Sequence, residues 1–436
     1  MKKFVGIEEK PPIPSLFLFG IQHVLALFSG LVAVPLIVGA ALNLPSDQIT
    51  ILVQGSLLTS GIGTLIQCLG LWKIGAKLPI CMGSAFVFIA PSISVGSQYG
   101  IQAIMGAAMV CGVIAFVLSF FLGKLQKLIP PLVTGTVVCL IGIGLLPKGF
   151  NWLAGGSGEL FGTSTSYLIG GLVLVLLIVT SQSKKGLISS FSVVISIAVG
   201  YIASAMFGIL DLDHLAKAEW VAVPELFHFG MPTFSFSAIV TLFVAQMAAV
   251  LESIGNTYGT GAAVKKEITK KELTGAISVD GVMSVIAPIF NGFSLTCFAQ
   301  NIGVINITRV ASRYAVAAAG IVLVLLGLIP KFSAIIAGMP APVLGGASMI
   351  MFGSIVTSGI AQLSESGKMG QREIIIFSTS LALGLGFGMA PEGALGQIPE
   401  DLALILHSGV AVGGFTAVLL NKLIPKEPAS EAVEAK

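Results

Sequence analysis

The chain has 436 residues, of which 55% are hydrophobic and 10% charged, against about 25% charged in an ordinary globular domain; its mean hydropathy is +0.99. Apolar runs of about 17–25 residues, the length of a bilayer-crossing helix, recur throughout, which excludes a soluble enzyme fold and leaves a polytopic membrane protein with little mass outside the bilayer. The net charge of +3 does not point to nucleic acid, because the cations sit in short loops between apolar runs.

The chain opens with a polar tail, 1–14, carrying Lys2, Lys3, Glu8, Glu9 and three prolines. No small-residue cleavage site follows a short apolar core, so the first apolar run reads as a retained span rather than a signal peptide. Fourteen spans are predicted, at 15–40, 49–72, 79–95, 101–123, 129–147, 166–181, 186–209, 235–258, 273–291, 293–308, 311–330, 332–357, 373–389 and 400–423. With the N-terminus in the cytoplasm, 20 of the 23 lysines and arginines fall inside, leaving Lys148, Lys217 and Lys331 outside, as the positive-inside rule requires. The even number of spans places both termini in the cytoplasm of a cell, or inner, membrane.

The spans divide into two sets of seven, 15–209 and 235–423, joined by a polar outer linker, 210–234, that carries Asp211, Asp213, His214, Lys217, Glu219 and Glu225. A tail, 424–436, ends the chain. Seven is odd, so the second set enters the membrane from the opposite side, as in an inverted repeat. The third span, Leu78 to Pro91, and the tenth, from Phe293 to Asn301, stand at equivalent positions. Both are short and interrupted, the best sequence pointer to a transporter's binding site. Each begins with extended-prone residues and continues as a helix-compatible run. A strand leading into a half-helix at both places would turn free N–H groups and positive dipole ends toward a ligand rich in carbonyls or negative charge; two ordinary kinked helices are the other reading.

Polar residues at membrane depth are few. Glu252 and Asp280 are the two acids placed deep in spans, and an intramembrane carboxylate marks a functional site or an interhelical hydrogen bond. Asn256 is one turn beyond Glu252 and shares its face. Gln22 and His23 lie early in the first span, where His23 reads either as a buried core residue or as a relay for a carboxylate. His407, in the last span, has no polar companion nearby in sequence. The five cysteines, 68, 81, 111, 139 and 297, all fall in apolar spans and read as small buried hydrophobes; no metal-ligand spacing occurs. There is no nucleophile–base pair and no phosphate-binding glycine loop, so nothing suggests an enzyme.

The run Gln300-Asn301-x-Gly303-x-x-x-x-Thr308-Arg309 resembles the signature of the nucleobase–cation symporter-2 family, the nucleobase–ascorbate transporters. Val310-Ala311-Ser312-Arg313 is similar to the continuation in its purine members. Gln22-His23 resembles the family's first-helix pair, Glu252-Ser253-x-Gly255 its eighth-helix motif, and Asp280 an acid in its ninth helix. The resemblance spans essentially the whole chain. It implies an all-α fold of fourteen segments in two inverted repeats with short strands in spans 3 and 10. It also implies a core domain of spans 1–4 and 8–11 and a gate domain of spans 5–7 and 12–14. The implied activity is proton-driven import of a nucleobase by a homodimer, with no cofactor beyond the coupling proton. Carried over by position, Glu252 and Gln300 bind the base, and Phe86 and Ala299 offer backbone N–H groups. The Phe86 ring packs on the ligand, and Ser84 and Ala85 line the strand. His23, Asp280 and Asn301, with Gln22 and Asn256, form the coupling or supporting network.

That chemistry suits a purine-dione edge, which alternates N–H donors with C=O acceptors, because the Gln300 amide offers one group of each kind. Gln at this position is typical of xanthine and urate members and Glu of uracil members, so the resemblance favours an oxidised purine. Three positions depart from the purine pattern: Ile302 where Asn is frequent, Asn256 where an acid is frequent, and Val87 where some xanthine members are polar. The competing expectations are uracil or another nucleobase, a sulfate- or bicarbonate-type anion carrier of similar architecture, and a passive channel or sensor.

Overall fold

The computed structural model describes residues 4–122, 130–156, 159–183, 188, 192–210, 216, 218–365, 369–391, 394–395 and 397–425. Several sequence readings lie outside them: Lys2, Lys3, Lys124, Lys127, Lys184, Lys185, Lys368, Lys426 and Lys436, the linker residues Asp211, Asp213, His214 and Lys217, and most of the C-terminal tail.

Before the first break the elements are α1 (Ile13–Ala41), α2 (Ser46–Leu69), β1 (Met82–Ser84), a 3-10 turn (Phe86–Phe88), α3 (Ile89–Tyr99) and α4 (Ile101–Leu118). Next come α5 (Pro131–Leu153), α6 (Ser164–Ser181), α7 (Ser192–Met206), α8 (Phe236–Ala263), α9 (Lys270–Ile289), β2 (Leu295–Cys297) and α10 (Gln300–Thr308). The last are α11 (Arg313–Gly327), α12 (Pro330–Ala337), α13 (Ala341–Glu365), α14 (Gln371–Gly388), α15 (Glu400–His407) and α16 (Gly409–Leu423). Among the described residues eight helices are long and apolar enough to cross a membrane, or nine if α11 and α12 form one span bent by 82°. The chain is a multi-pass, mostly helical membrane protein.

Two predicted spans are redrawn. The expected span 332–357 is broken: α12 ends at Ala337, and the long helix starts only at Ala341 and runs to Glu365. Pro340 and Pro342 explain the shift, since a proline removes an N–H, kinks or breaks a helix interior and fits best in a helix's first turn. The expected span 400–423 is two helices meeting at Ser408, whose hydroxyl accepts from Ala411 N–H and so starts a new helix.

The helices pack in two groups. In one, α2 lies along α11 and α9 along α4, with α1 packed on the first pair and α8 on the second. In the other, α5 lies along α13, and α14 along α16, with α6 and α7 at the edge. Small residues allow the closest crossings: a Cβ on Gly61 would come within 2.7 Å of Gly320 O, and one on Gly135 within 2.7 Å of Gly359 O. The groups meet chiefly where α8 touches α5, α15 and α16, and where α3 touches α5 and α15.

The strands β1 and β2 pair antiparallel, Met82 opposite Cys297 and Ser84 opposite Leu295. Three-residue strands deep in an apolar bundle leave backbone groups that cannot reach water, and these must find partners inside the protein. They find them on neighbouring helices. Met82 N–H donates to Thr64 Oγ1 of α2 (3.0 Å), Leu295 N–H to Ser284 Oγ of α9 (3.3 Å), and Cys297 N–H to Ser253 Oγ of α8 (3.1 Å). Phe298 N–H donates to Cys81 O at 2.9 Å.

The N-terminal segment straps one end of this first group. Val5 forms a parallel bridge with Val310, and Ser312 Oγ donates to Glu9 O. Arg313 donates twice to Glu8 Oε2, at 2.7 and 3.0 Å, and once to Cys68 O at the end of α2. The Arg313 guanidinium beside Glu8 holds its carboxyl below the usual carboxylate range.

Candidate functional site

Because β1 and β2 are antiparallel and each runs into a helix, the helix starts at Phe86 and Gln300 sit at opposite ends of one short ladder. Neither start has a side-chain cap; the preceding residues are Ala85 and Ala299. Their first N–H groups therefore stay available to a ligand, and the dipole favours a carbonyl or anionic one.

Gly83 lets the ladder close. A Cβ there would lie 2.5 Å from Leu31 of α1 and 2.6 Å from the Phe298 ring. Ser84 and Ala85 are buried, Phe86 is half-buried, and Ala299 and Gln300 are exposed. The Gln300 amide turns toward α1, its Nε2 lying 3.7 Å from the Cβ position of Gly30.

On the other side of the ladder, Glu252 and Asn256 of α8 face a cavity of about 480 Å³. Thr134 of α5, Tyr258 and Gly259 of α8, Ile302 of α10 and Gln362 of α13 complete its wall, so it lies between the two packing groups. It sits toward the end of the molecule where α5 begins and α8 and α13 terminate. Asn256 is fixed, donating from Nδ2 to Cys297 O at 2.7 Å. Glu252 is half-buried at the cavity wall. Next to it, Ser253 Oγ and Thr296 Oγ1 share a hydrogen bond of 2.5 Å.

Behind the ladder is a buried polar set. Asp280 Oδ1 accepts from Cys297 Sγ at 3.5 Å, while Oδ2 has no partner among the described residues. Gln67 of α2 donates to Ala276 O of α9 (2.9 Å), contacts Cys297 Sγ (3.4 Å), and accepts from Ala76 N–H. Asn301 donates to Pro79 O at 2.5 Å, tying α10 to the segment before β1, and its Oδ1 is unpartnered among the described residues. His23 is buried in α1 with Nδ1 likewise unpartnered, and Gln22 beside it is half-buried.

The structure thus puts Glu252, Asn256 and Ile302 on one cavity and gathers Asp280 and Asn301 against the ladder. Gln300, Phe86, Ala299 and His23 are not among the residues that line that cavity. Ser253, Thr296, Gln67, Thr134 and Gln362 were assigned no role from the sequence, and Cys297 only that of a small buried hydrophobe. Their signal was polarity inside otherwise apolar runs, but lone hydroxyls in such runs most often bond their own helix, as Thr59 does with Gly55 O. His407 gains a companion that the sequence did not suggest, since Lys148 of α5 lines the same cavity. The five cysteines are buried free thiols.

Residues 14–393 match the Permease family. The chain belongs to that family. The resemblance drawn from Gln300 to Arg309 is thereby borne out. The permease is 38% identical over 411 residues to the uric acid permease PucJ of Bacillus subtilis, covering 93% of this chain and 91% of that one. It is 35% identical over 403 residues to the xanthine permease of the same organism, covering 92% of each. In fold it is similar to the transmembrane domain of a cyanobacterium bicarbonate transporter, BicA, with a TM-score of 0.65 at 15% identity, covering 95% of this permease and all of that domain.

Proposed function

We propose that this permease imports an oxidised purine, xanthine or urate, by proton-coupled alternating access. The observation that carries the reading is the cavity between the two packing groups, where Glu252 stands against a strand pair whose two following helices start uncapped. Relatives named for uric acid and xanthine align with nearly the whole permease. The likeness to a bicarbonate transporter concerns fold and carries no substrate.

In this reading Glu252 and Gln300 bind the purine edge, the Phe86 ring packs on its face, and the N–H groups at Phe86 and Ala299 receive its carbonyls. Ser84 and Ala85 shape the strand wall. Glu252 takes up the coupling proton, supported by His23 with Gln22, by Asp280, and by Asn301 and Asn256, which hold the ladder in place. The first packing group is the core and the second the gate. Fourteen segments in two inverted repeats, both termini cytoplasmic in the inner membrane, and a homodimer complete the proposal.

A correspondence in packing supports the inverted repeat. Let α1, α2, β1, α3 and α4 answer to α8, α9, β2, α10 and α11, and α5, α6 and α7 to α13, α14 and α16. Then α2 on α11 mirrors α9 on α4, α1 on α10 mirrors α8 on α3, and α6 on α13 mirrors α14 on α5. The hydroxyls obey the same rule: each strand's first N–H is taken by the helix just before it.

The test is uptake of labelled xanthine in cells lacking their own carriers, competed by urate, guanine, hypoxanthine and uracil, with and without an uncoupler. Urate should compete and the uncoupler should abolish accumulation; competition by uracil alone would overturn the purine reading. Glu252→Gln should lose uphill accumulation. If it still concentrates substrate with wild-type sensitivity to the uncoupler, Glu252 is not the coupling group.

A further inference from the structure

A second cavity, of about 290 Å³, lies at the other end of α5. It too falls between the packing groups, with α3 on one side and α5, α14 and the α15–α16 junction on the other. Lys148 of α5 and His407 of α15 both line it, with Ser94 and Ser408. Both side chains are half-buried, and neither is in an ion pair among the described residues. No carboxylate is among the described residues that line it.

Its position gives it a role. Thr134, on the wall of the Glu252 cavity, and Lys148 are fourteen positions apart on α5, a rise of about 21 Å. The two cavities therefore occupy opposite ends of one interface. Ala90, in the wall of the second cavity, is four residues beyond Phe86 on the same half-helix. A ligand held here is about one turn from the helix start that forms the candidate binding site. Under the proposed topology this is the outer end, where substrate arrives. A cleft lined by one sign of charge with low-dielectric walls raises the local concentration of the opposite sign and speeds capture.

We propose that this cavity is an outer encounter site for a purine anion, held by Lys148 and His407 before it passes to Glu252. The inference rests on the purine reading of the permease and adds a charge preference to it. On the mildly acidic side of neutrality urate is an anion while xanthine is neutral, so the two substrates separate charge from shape. The step is binding alone, and no covalent change is involved.

The experiment measures initial uptake rates of urate and xanthine at mildly acidic pH, at low and high salt, in wild type and in Lys148→Gln, His407→Gln and Lys148→Arg, with membrane levels followed by a tag. Lys148→Gln should raise KM for urate about threefold or more at low salt, flatten its salt dependence, and leave xanthine KM unchanged; His407→Gln should act in the same direction, and Lys148→Arg should restore urate. Gly144→Glu provides an independent arm, because its Cβ would meet no heavy atom within 4 Å, and the added carboxylate should weaken urate selectively. Equal shifts for both substrates, or wild-type KM and salt dependence for urate in both Lys148→Gln and Gly144→Glu, would overturn the inference alone. A wild type that carries neither purine would overturn the purine reading, and this inference with it.

Discussion

In the proposed reading, substrate choice turns on Gln300. It stands in the first turn of α10, exposed, with its amide directed toward Gly30 of α1. An amide offers both a donor and an acceptor, whereas a carboxylate only accepts. Gln300→Glu therefore takes the donor from a purine carbonyl and sets an acceptor against it. An unmatched buried polar group costs about 1–3 kcal/mol, or roughly 5- to 150-fold in affinity. The expected result is a loss of that size in competition by xanthine and urate, with uracil competing relatively better; an unchanged xanthine-to-uracil ratio would show that Gln300 does not read the base. Gln300 and Glu252 stood out in the sequence as candidates because polarity in an apolar run has few innocent explanations. His407 did not, because its companion Lys148 is 259 positions away in the chain, and only the packing of α3 against both α15 and α5 brings the pair to one cavity.

At the level of elements, the β1–β2 ladder is the part most dependent on precise partners. Its short, extended-prone runs could be read from the sequence, and so could the half-helices after them. The hydroxyls that complete it could not, because Thr64, Ser253 and Ser284 sit in helices where such side chains usually bond the preceding turn. Their function is set by orientation toward a ladder that only the tertiary fold creates. Helix ends were legible to a similar degree: Pro340 and Pro342 flagged an irregular twelfth span, yet not that α12 would bend away and leave α13 to begin at Ala341. Removing the hydroxyl in Thr64→Ala or Ser284→Ala leaves a buried strand N–H unpaired, at a cost of about 1–3 kcal/mol each. Both variants should melt at lower temperature in detergent and transport more slowly. Thr59→Ala is the comparison, since the Thr59 hydroxyl bonds only carbonyls of its own helix. If all three variants melt alike, the hydroxyls do not hold the ladder.

For the molecule as a whole, the proposed alternating access predicts that only one of the two cavities at opposite ends of the α5 interface widens at a time. Packed groups that meet along α8 and α3 can rock between two arrangements, and opening one end draws the other together. Composition and charge placement made a multi-pass protein legible; the division into two packing groups was expected only through family resemblance, because helix-to-helix contacts leave no mark in an apolar sequence beyond small residues such as Gly61 and Gly135. The rocking is measurable with single added thiols, since the native cysteines are buried. Tyr258→Cys places a thiol on the wall of the Glu252 cavity, and Gly144→Cys one on the wall of the Lys148 cavity. Labelling rates are compared with and without saturating substrate, in membranes of both orientations. Rigid rocking requires the two rates to move in opposite directions, one slowed as the other is accelerated. Rates that rise or fall together would mean that the ends open independently, and substrate would then cross by a route other than alternating exposure of one site.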